Sequence, residues 1–191
     1  MRIVFLGSSV FAQNRDQNDP KSLGNGFIKL LDDYGKEHNL NLEIYNLGVN
    51  GEIVKEHLER IEEVTSLKPD LLFYSISTND ATRELYEDKL IDDKGLLDDF
   101  EKIINKAISN NIKVCVIEPF IIAKKNYDIV FLPKIDLTRE YAKKHHIDYL
   151  ETNGFLNKLG TDYAIDGIHP SAVGNKLLFS MIKNYLESVM K

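Results

Sequence analysis

The chain has 191 residues, 43% of them hydrophobic and 28% charged, with a formal net charge of -6. That length suits one domain, 1–191, with a well-buried core, and the composition excludes a disordered chain. The acid excess argues against nucleic acid as a partner, because a phosphate-binding surface is basic.

The apolar run from Met1 to Leu6 is too short for the core of a secretory signal. No segment approaches the roughly 20 apolar residues that span a bilayer. Cys115 is the single cysteine, so no internal disulfide framework exists. A cytoplasmic protein without a membrane span is the expectation.

Residues 2–6 read as a buried strand and run into Gly7-Ser8-Ser9. The polar stretch from Gln13 to Ser22 follows, placed to cover whatever Ser9 does. A second strand at 42–47 leads into Asn46-Leu47-Gly48-Val49-Asn50-Gly51-Glu52, and a weak helical period covers 53–66. The third strand, 70–76, is followed by Ser77-Thr78-Asn79-Asp80. Leu96, Leu97, Phe100, Ile103, Ile104, Ala107 and Ile108 form the stripe of an amphipathic helix over 96–108. The fourth strand, 112–118, contains Cys115 as a core residue and precedes Phe120-Ile121-Ile122. A weaker helix, 133–145, closes on His145-His146, where a cation suits the helix dipole. His38 and His57 lie on polar stretches and read as solvated. A short fifth strand at 147–150 precedes Asp166-Gly167-Ile168-His169-Pro170. The last helix, 171–189, carries Val173, Leu177, Leu178, Met181, Ile182, Tyr185 and Leu186 behind Pro170.

Strand–helix alternation implies an α/β/α sandwich around a parallel sheet, here flavodoxin-like with five strands in the order 2-1-3-4-5. Ligands of such sheets bind beyond the carboxyl ends of the strands. The segments at those ends bring together a hydroxyl, a histidine with a carboxylate three residues before it, and amide donors. Each has a bland alternative: Ser9 as a helix cap, Asn50-Gly51 as a plain turn, Asn79 as a turn residue. Asp166 and His169 on one turn let the carboxylate reach the imidazole and fix its tautomer. From spacing alone, Gly48 and Gly51 are equal candidates for a backbone donor.

These segments resemble the motif blocks of the SGNH (GDSL-type) hydrolases. Residues Ile3 to Ser9 are similar to the first block, hydrophobic residues followed by Gly-Asp-Ser. Asn46 to Gly51 is similar to the second, Ser77 to Asp80 to the third, usually Gly-x-Asn-Asp, and Asp166 to Pro170 with Ala172 and Gly174 to the last. Gly26-Phe27-Ile28-Lys29-Leu30-Leu31 resembles the Gly-Trp-x-x-x-Leu stretch often found after block one. The markers run from residue 3 to 174. The resemblance implies a serine esterase with Ser9 as nucleophile, His169 as base and Asp166 as its partner. It implies an oxyanion site from the backbone N–H of Ser9, the backbone N–H of Gly51 and the Asn79 amide. Ser8 stands where the family usually has Asp, and Ser77 where it has Gly, so Ser8 is the competing nucleophile.

Phe11, Phe120 and Ile121 are expected to line the acyl pocket. No cofactor and no metal is expected. The polarity of the 13–22 stretch points to a short acyl group on a polar carrier such as an acetylated sugar. Rival readings are an acyltransferase to a sugar hydroxyl, a lysophospholipase or thioesterase, and a non-catalytic flavodoxin-like binding module. A flavin site would want more hydroxyls after strand 1 than Val10-Phe11-Ala12-Gln13 supply.

Overall fold

The protein is described here by a computed structural model covering residues 1–19, 21–86, 92–119, 125–152 and 162–190. Strands β1 (Arg2–Leu6), β2 (Glu43–Asn46), β3 (Leu71–Tyr74), β4 (Lys113–Ile117) and β5 (Asp148–Leu150) form one parallel sheet in the order β2-β1-β3-β4-β5. This is the order expected from the sequence. The inner strands are apolar at nearly every position because both faces of the sheet are covered.

Alternation along each strand sorts the core into two layers. Ile3, Phe5, Leu71, Phe73, Cys115 and Ile117 meet helix α2 (Phe27–Glu37) and the C-terminal helix α8 (Ala172–Val189). Val4, Leu6, Leu72, Tyr74, Val114 and Val116 meet the other layer. That layer holds α3 (Val54–Glu59), α4 (Ile61–Ser66), α6 (Asp93–Ser109) and α7 (Lys125–Lys144). Two further helices start at strand ends: α1 (Ser9–Ala12) after β1 and α5 (Asn79–Tyr86) after β3.

The helices depart from the sequence expectation in several places. The single helix expected over 53–66 is broken into α3 and α4 at Arg60, whose φ is -106° and ψ 8°. The Arg60 guanidinium there donates to the Leu47 carbonyl and to Glu52, at 2.9 and 2.7 Å. Helix α7 begins upstream of the expected 133 and carries Pro133 inside it, where the missing N–H costs one backbone bond. Helix α5 has no apolar stripe to announce it, since its buried hydrophobic residue is Ala81.

Lys134 on α7 is 1% exposed yet charged, because its ammonium meets Glu84 of α5 at 2.8 Å and Asp93 of α6 at 2.6 Å. This pair of contacts fastens three helices of one layer together. Among the described residues no helix is long and apolar enough to cross a membrane.

Phe5 sits at the centre of the other layer. Its ring stacks on Phe73 at 4.9 Å and meets the edges of Phe11 and Phe27 at 6.0 Å each. Phe5→Ala is expected to lower unfolding free energy by about 3–5 kcal/mol, combining lost transfer energy and a residual cavity. Urea denaturation checks this, and a loss below about 1 kcal/mol would mean the aromatic cluster collapses around the gap.

Candidate active site

Strand β1 ends at Leu6, and the chain turns through Gly7 and Ser8 into α1. A side chain at Gly7 would lie 2.8 Å from the Phe11 ring, so the turn needs a glycine to close. The Ser8 carbonyl accepts the N–H groups of Phe11 and Ala12, both at 3.0 Å, which starts the helix. Ser9 is thereby the first helical residue. Its Oγ lies 2.9 Å from His169 Nε2. The neighbouring Ser8 is buried and borders an enclosed cavity of only about 10 Å³. Of the two candidate serines, the structure brings Ser9 to the histidine.

His169 Nδ1 lies 2.7 Å from Asp166 Oδ2. An ionised carboxylate only accepts, so Nδ1 carries the proton and Nε2 is free to accept from the Ser9 hydroxyl. The other carboxylate oxygen of Asp166 accepts the N–H groups of Ile168 and His169 at 2.9 and 2.8 Å. Burial alone would push this carboxyl up, but the hydrogen bonds from His169 and Ile168 outweigh it and hold Asp166 down at about 2. The loop is closed by a bridge between Ala164 and Pro170, with Ile165 N–H donating to the His169 carbonyl at 2.9 Å. Gly167 takes a φ of 83° within it, a conformation that favours glycine.

The two glycines after the second strand sit in different surroundings. Gly48 N–H donates to Asn46 Oδ1 at 2.9 Å, and a side chain at Gly48 would fall 2.5 Å from Ala12 N. Gly48 is therefore a packing glycine beneath α1, with its N–H already used. Gly51 is exposed at a φ of 82° and lines the cleft. At the third strand end, Asn79 N–H donates to Ser77 Oγ at 2.9 Å. The serine that replaces the expected glycine thus caps the start of α5. Asn79 Nδ2 donates to the Glu52 carbonyl at 2.9 Å.

Ser9, Gly51, Asn79, Asp166 and His169 all line one open cleft of about 580 Å³. The rest of its described lining is Gln13, Asn14, Asn50, Thr82, Ile165, Ile168 and Pro170. Phe11 is not part of it, contrary to expectation. Its ring is 2% exposed and packs against Phe5 and Phe27, because the first turn of α1 directs it into the core. Phe120 and Ile121 lie outside the described residues. Among the described residues no group of three His, Cys, Asp or Glu side chains is placed to hold a metal ion.

Two buried amides and a buried acid support the site; Asn46 and Asp80 fall within the second and third blocks, and Asn175 falls in none. Asn46 is fully buried and Asn175 nearly so. Asn175 Oδ1 accepts Phe27 N–H at 2.9 Å, and its Nδ2 donates to the Pro170 and Ser171 carbonyls at 3.2 and 3.1 Å. A polar residue on the apolar face of the last helix was the available signal for it. Asp80 is 1% exposed, and each carboxylate oxygen lies 3.3 Å from Val54 N. Burial pushes its carboxyl up to about 7, against the opposing pull of the Val54 N–H, Lys134 and Arg83. His57, expected in solvent, is fully buried edge-on to Tyr74 at 5.8 Å. Burial, with the Arg60 charge, pushes it down to about 3, so it is a neutral core residue.

A family model described as the GDSL-like lipase/acylhydrolase family matches residues 5–177. The chain belongs to this family. No curated protein matches it in sequence. Among solved structures, the acetylxylan esterase Axe2 from Geobacillus stearothermophilus superposes with a TM-score of 0.85 at 18% identity, over 97% of this chain and 92% of that one. LAE5, an α/β hydrolase from the metagenome of Lake Arreo, gives 0.86 at 20% identity, over 95% and 92%. The acetyl xylan esterase AlAXEase gives 0.83 at 18% identity, over 97% and 100%. At these identities the likeness shows a shared SGNH fold.

Asp80 makes the stability of this GDSL-family chain depend on pH. Its folded pKa, about 7, lies above the ordinary 3.8, so the folded state holds the proton more tightly than the unfolded chain. The resulting penalty is absent below pH 3.8 and complete above about 7. Asp80→Asn keeps an acceptor for Val54 and removes the penalty. Its melting temperature relative to wild type is expected to rise between pH 5 and pH 8. A difference that stays flat across that range would mean Asp80 titrates normally.

Proposed function

We propose that the protein is a serine ester hydrolase that removes a short acyl group from a neutral, hydroxyl-rich carrier such as an acetylated carbohydrate. The observation that carries this reading is the continuous relay from Asp166 through His169 to Ser9, at 2.7 and 2.9 Å, opening into the cleft. Ser9 Oγ attacks the ester carbonyl carbon and passes its proton to His169 Nε2. The C–O bond to the alcohol then breaks, and His169 returns that proton to the leaving oxygen. Water repeats the sequence on the acyl-enzyme: His169 takes its proton, and Ser9 leaves as the hydroxyl. Asp166 stays ionised throughout and stabilises the imidazolium.

The negative oxygen of each tetrahedral intermediate is received by the N–H groups of Ser9 and Gly51 and by Asn79. The Asn79 amide nitrogen carries two protons and spends one on Glu52, which leaves the other for the oxyanion. Removing one such donor typically costs about 100- to 1000-fold in turnover, or about 3–4 kcal/mol. Asn79→Ala is expected to lose that factor in kcat with KM little changed. An effect confined to KM would remove Asn79 from this role.

The carrier is inferred from the cleft wall. Apart from the relay itself, its described side chains are amides, a hydroxyl and aliphatic groups, with no cation to meet a phosphate. That favours a neutral sugar ester over a lysophospholipid or a coenzyme A thioester. The acetyl esterase names of Axe2 and AlAXEase agree with it, and catalytic mutants of Axe2 replace a serine and an aspartate. Transfer of the acyl group to a sugar hydroxyl uses the same relay with a different acceptor.

Wild type, Ser9→Ala and Ser8→Ala assayed on p-nitrophenyl esters from acetate to decanoate test the reading. The expected result is fastest turnover on acetate, an inactive Ser9→Ala and an active Ser8→Ala. An active Ser9→Ala removes the nucleophile, and a silent wild type removes the hydrolase. Repeating the acetate reaction with a xylooligosaccharide acceptor separates transfer from hydrolysis.

A further inference from the structure

The turn that carries Gly51 is held by side chains and not by packing. Gly51 is exposed, and a Cβ placed on it would meet no atom within 4 Å. Its left-handed φ of 82° is one of several conformations open to a glycine at little cost. Something other than van der Waals contact must select it.

Helix α5 supplies the restraint. Arg83, one turn beyond Asn79, donates from Nη2 to the Gly51 carbonyl at 2.8 Å. Asn79 donates to the next carbonyl, that of Glu52, at 2.9 Å. The same Arg83 meets Glu56 with both ends of its fork, Nη1 to Oε1 at 3.0 Å and Nη2 to Oε2 at 3.1 Å. Glu56 Oε2 in turn accepts the Ile53 N–H at 2.9 Å. The Val54 N–H points at Asp80. Each residue from Gly51 to Val54 therefore has a backbone polar group bonded to a side chain of α5 or to the glutamate that Arg83 holds.

We propose that Arg83 is a positioning residue that clamps the Gly51 turn, setting the Gly51 N–H in register with the Asn79 amide as an oxyanion receptor. The proposal rests on the hydrolase reading above. Arginine fits the task because one planar group meets a carbonyl and a carboxylate at once. Lysine, a single ammonium on a flexible stem, satisfies one well and the other poorly. Asn79 and Arg83 lie on one face of one helix, so the clamp and the side-chain donor move as a unit. A misplacement near 1 Å at a reacting centre typically costs on the order of 100-fold in rate, with little effect on ground-state binding.

The test compares wild type, Arg83→Met, Arg83→Lys and Arg2→Met. Arg2 is the control: it binds Glu43 and the Leu67 carbonyl at the opposite end of the sheet. The readouts are kcat and KM on p-nitrophenyl acetate and amide hydrogen exchange in the 50–54 segment. Arg83→Met is expected to lose about 10- to 100-fold in kcat, with KM within about threefold, and to exchange faster at 50–54. Arg83→Lys is expected to recover part of both, and Arg2→Met to keep wild-type kcat. Unchanged kcat in Arg83→Met, a change in KM alone, or unaltered exchange at 50–54 would each overturn the proposal while leaving the hydrolase reading intact. A wild type without Ser9-dependent turnover overturns the hydrolase reading and takes this proposal with it.

Discussion

The structure depends on one buried amide. Asn46, the last residue of β2, has no exposure, and all of its hydrogen-bonding groups point at backbone. Its Nδ2 donates to the carbonyls of Phe11 and Leu23 at 2.8 and 3.0 Å, and its Oδ1 accepts the Gly48 N–H at 2.9 Å. Packing the end of α1 against the second strand end buries polar backbone that no sheet or helix can satisfy. Each such group left unpaired would cost about 1–3 kcal/mol. One asparagine meets three of them, and in doing so fixes helix α1, the chain entering α2 and the loop toward Gly51. No apolar residue of similar size could occupy the position.

Electrostatics divide the molecule along the sheet. The α2–α8 side is an aromatic and aliphatic core centred on Phe5. The other side holds Asp80, Lys134, His57 and Tyr74 among its buried residues. Lys134 keeps its charge because Glu84 and Asp93 surround it, so its presence fixes helix positions more than it adds stability. His57 avoids the question by staying neutral, and burial drives the Tyr74 hydroxyl well above its ordinary value. Asp80 is the costly member, a carboxyl, next to Asn79 in the chain, that faces the Val54 N–H at the start of α3. The cost falls on the face that carries α5, where placement of Asn79 and Arg83 matters.

Much of this was legible from local pattern. Apolar runs of strand length were readable because inner strands of a parallel sheet are apolar on both faces. Alternation and crossover handedness leave a few strand orders, of which 2-1-3-4-5 is the one found; the places after strands or before the last helix point to Ser9, Asn79, Asp166 and His169, and the family resemblance separates Gly51 from Gly48. What failed to show was whatever depends on partners distant in sequence. His57 looks solvated among charged neighbours, and only the fold puts Tyr74 beside it. Phe11 lies two residues beyond Ser9, and two residues along a helix turn a side chain to another face, here into the core. Arg83 carries no signal at all: its acceptors, the Gly51 carbonyl and Glu56, lie 32 and 27 residues away.

The two halves of the site are packed differently. Ser9 rests on a turn with no room for side chains at Gly7 and Gly48. Asp166 and His169 ride on a loop whose side chains are about half and two-fifths exposed. What disciplines that loop is its base. A side chain at Gly174 would fall 2.2 Å from the Tyr163 carbonyl, and Ser171 ties both its N–H and its hydroxyl to the 162–163 backbone. Asn175 then links this base to α2 through Phe27 and to the α1 exit through Gln13. The hydrogen-bonded chain from Asp166 through His169 therefore joins Ser9, seated on a closely packed turn, to a more exposed loop that is anchored at its base. In the proposed hydrolysis one imidazole must address the serine first and the leaving oxygen next, and an exposed loop on an anchored base suits that order.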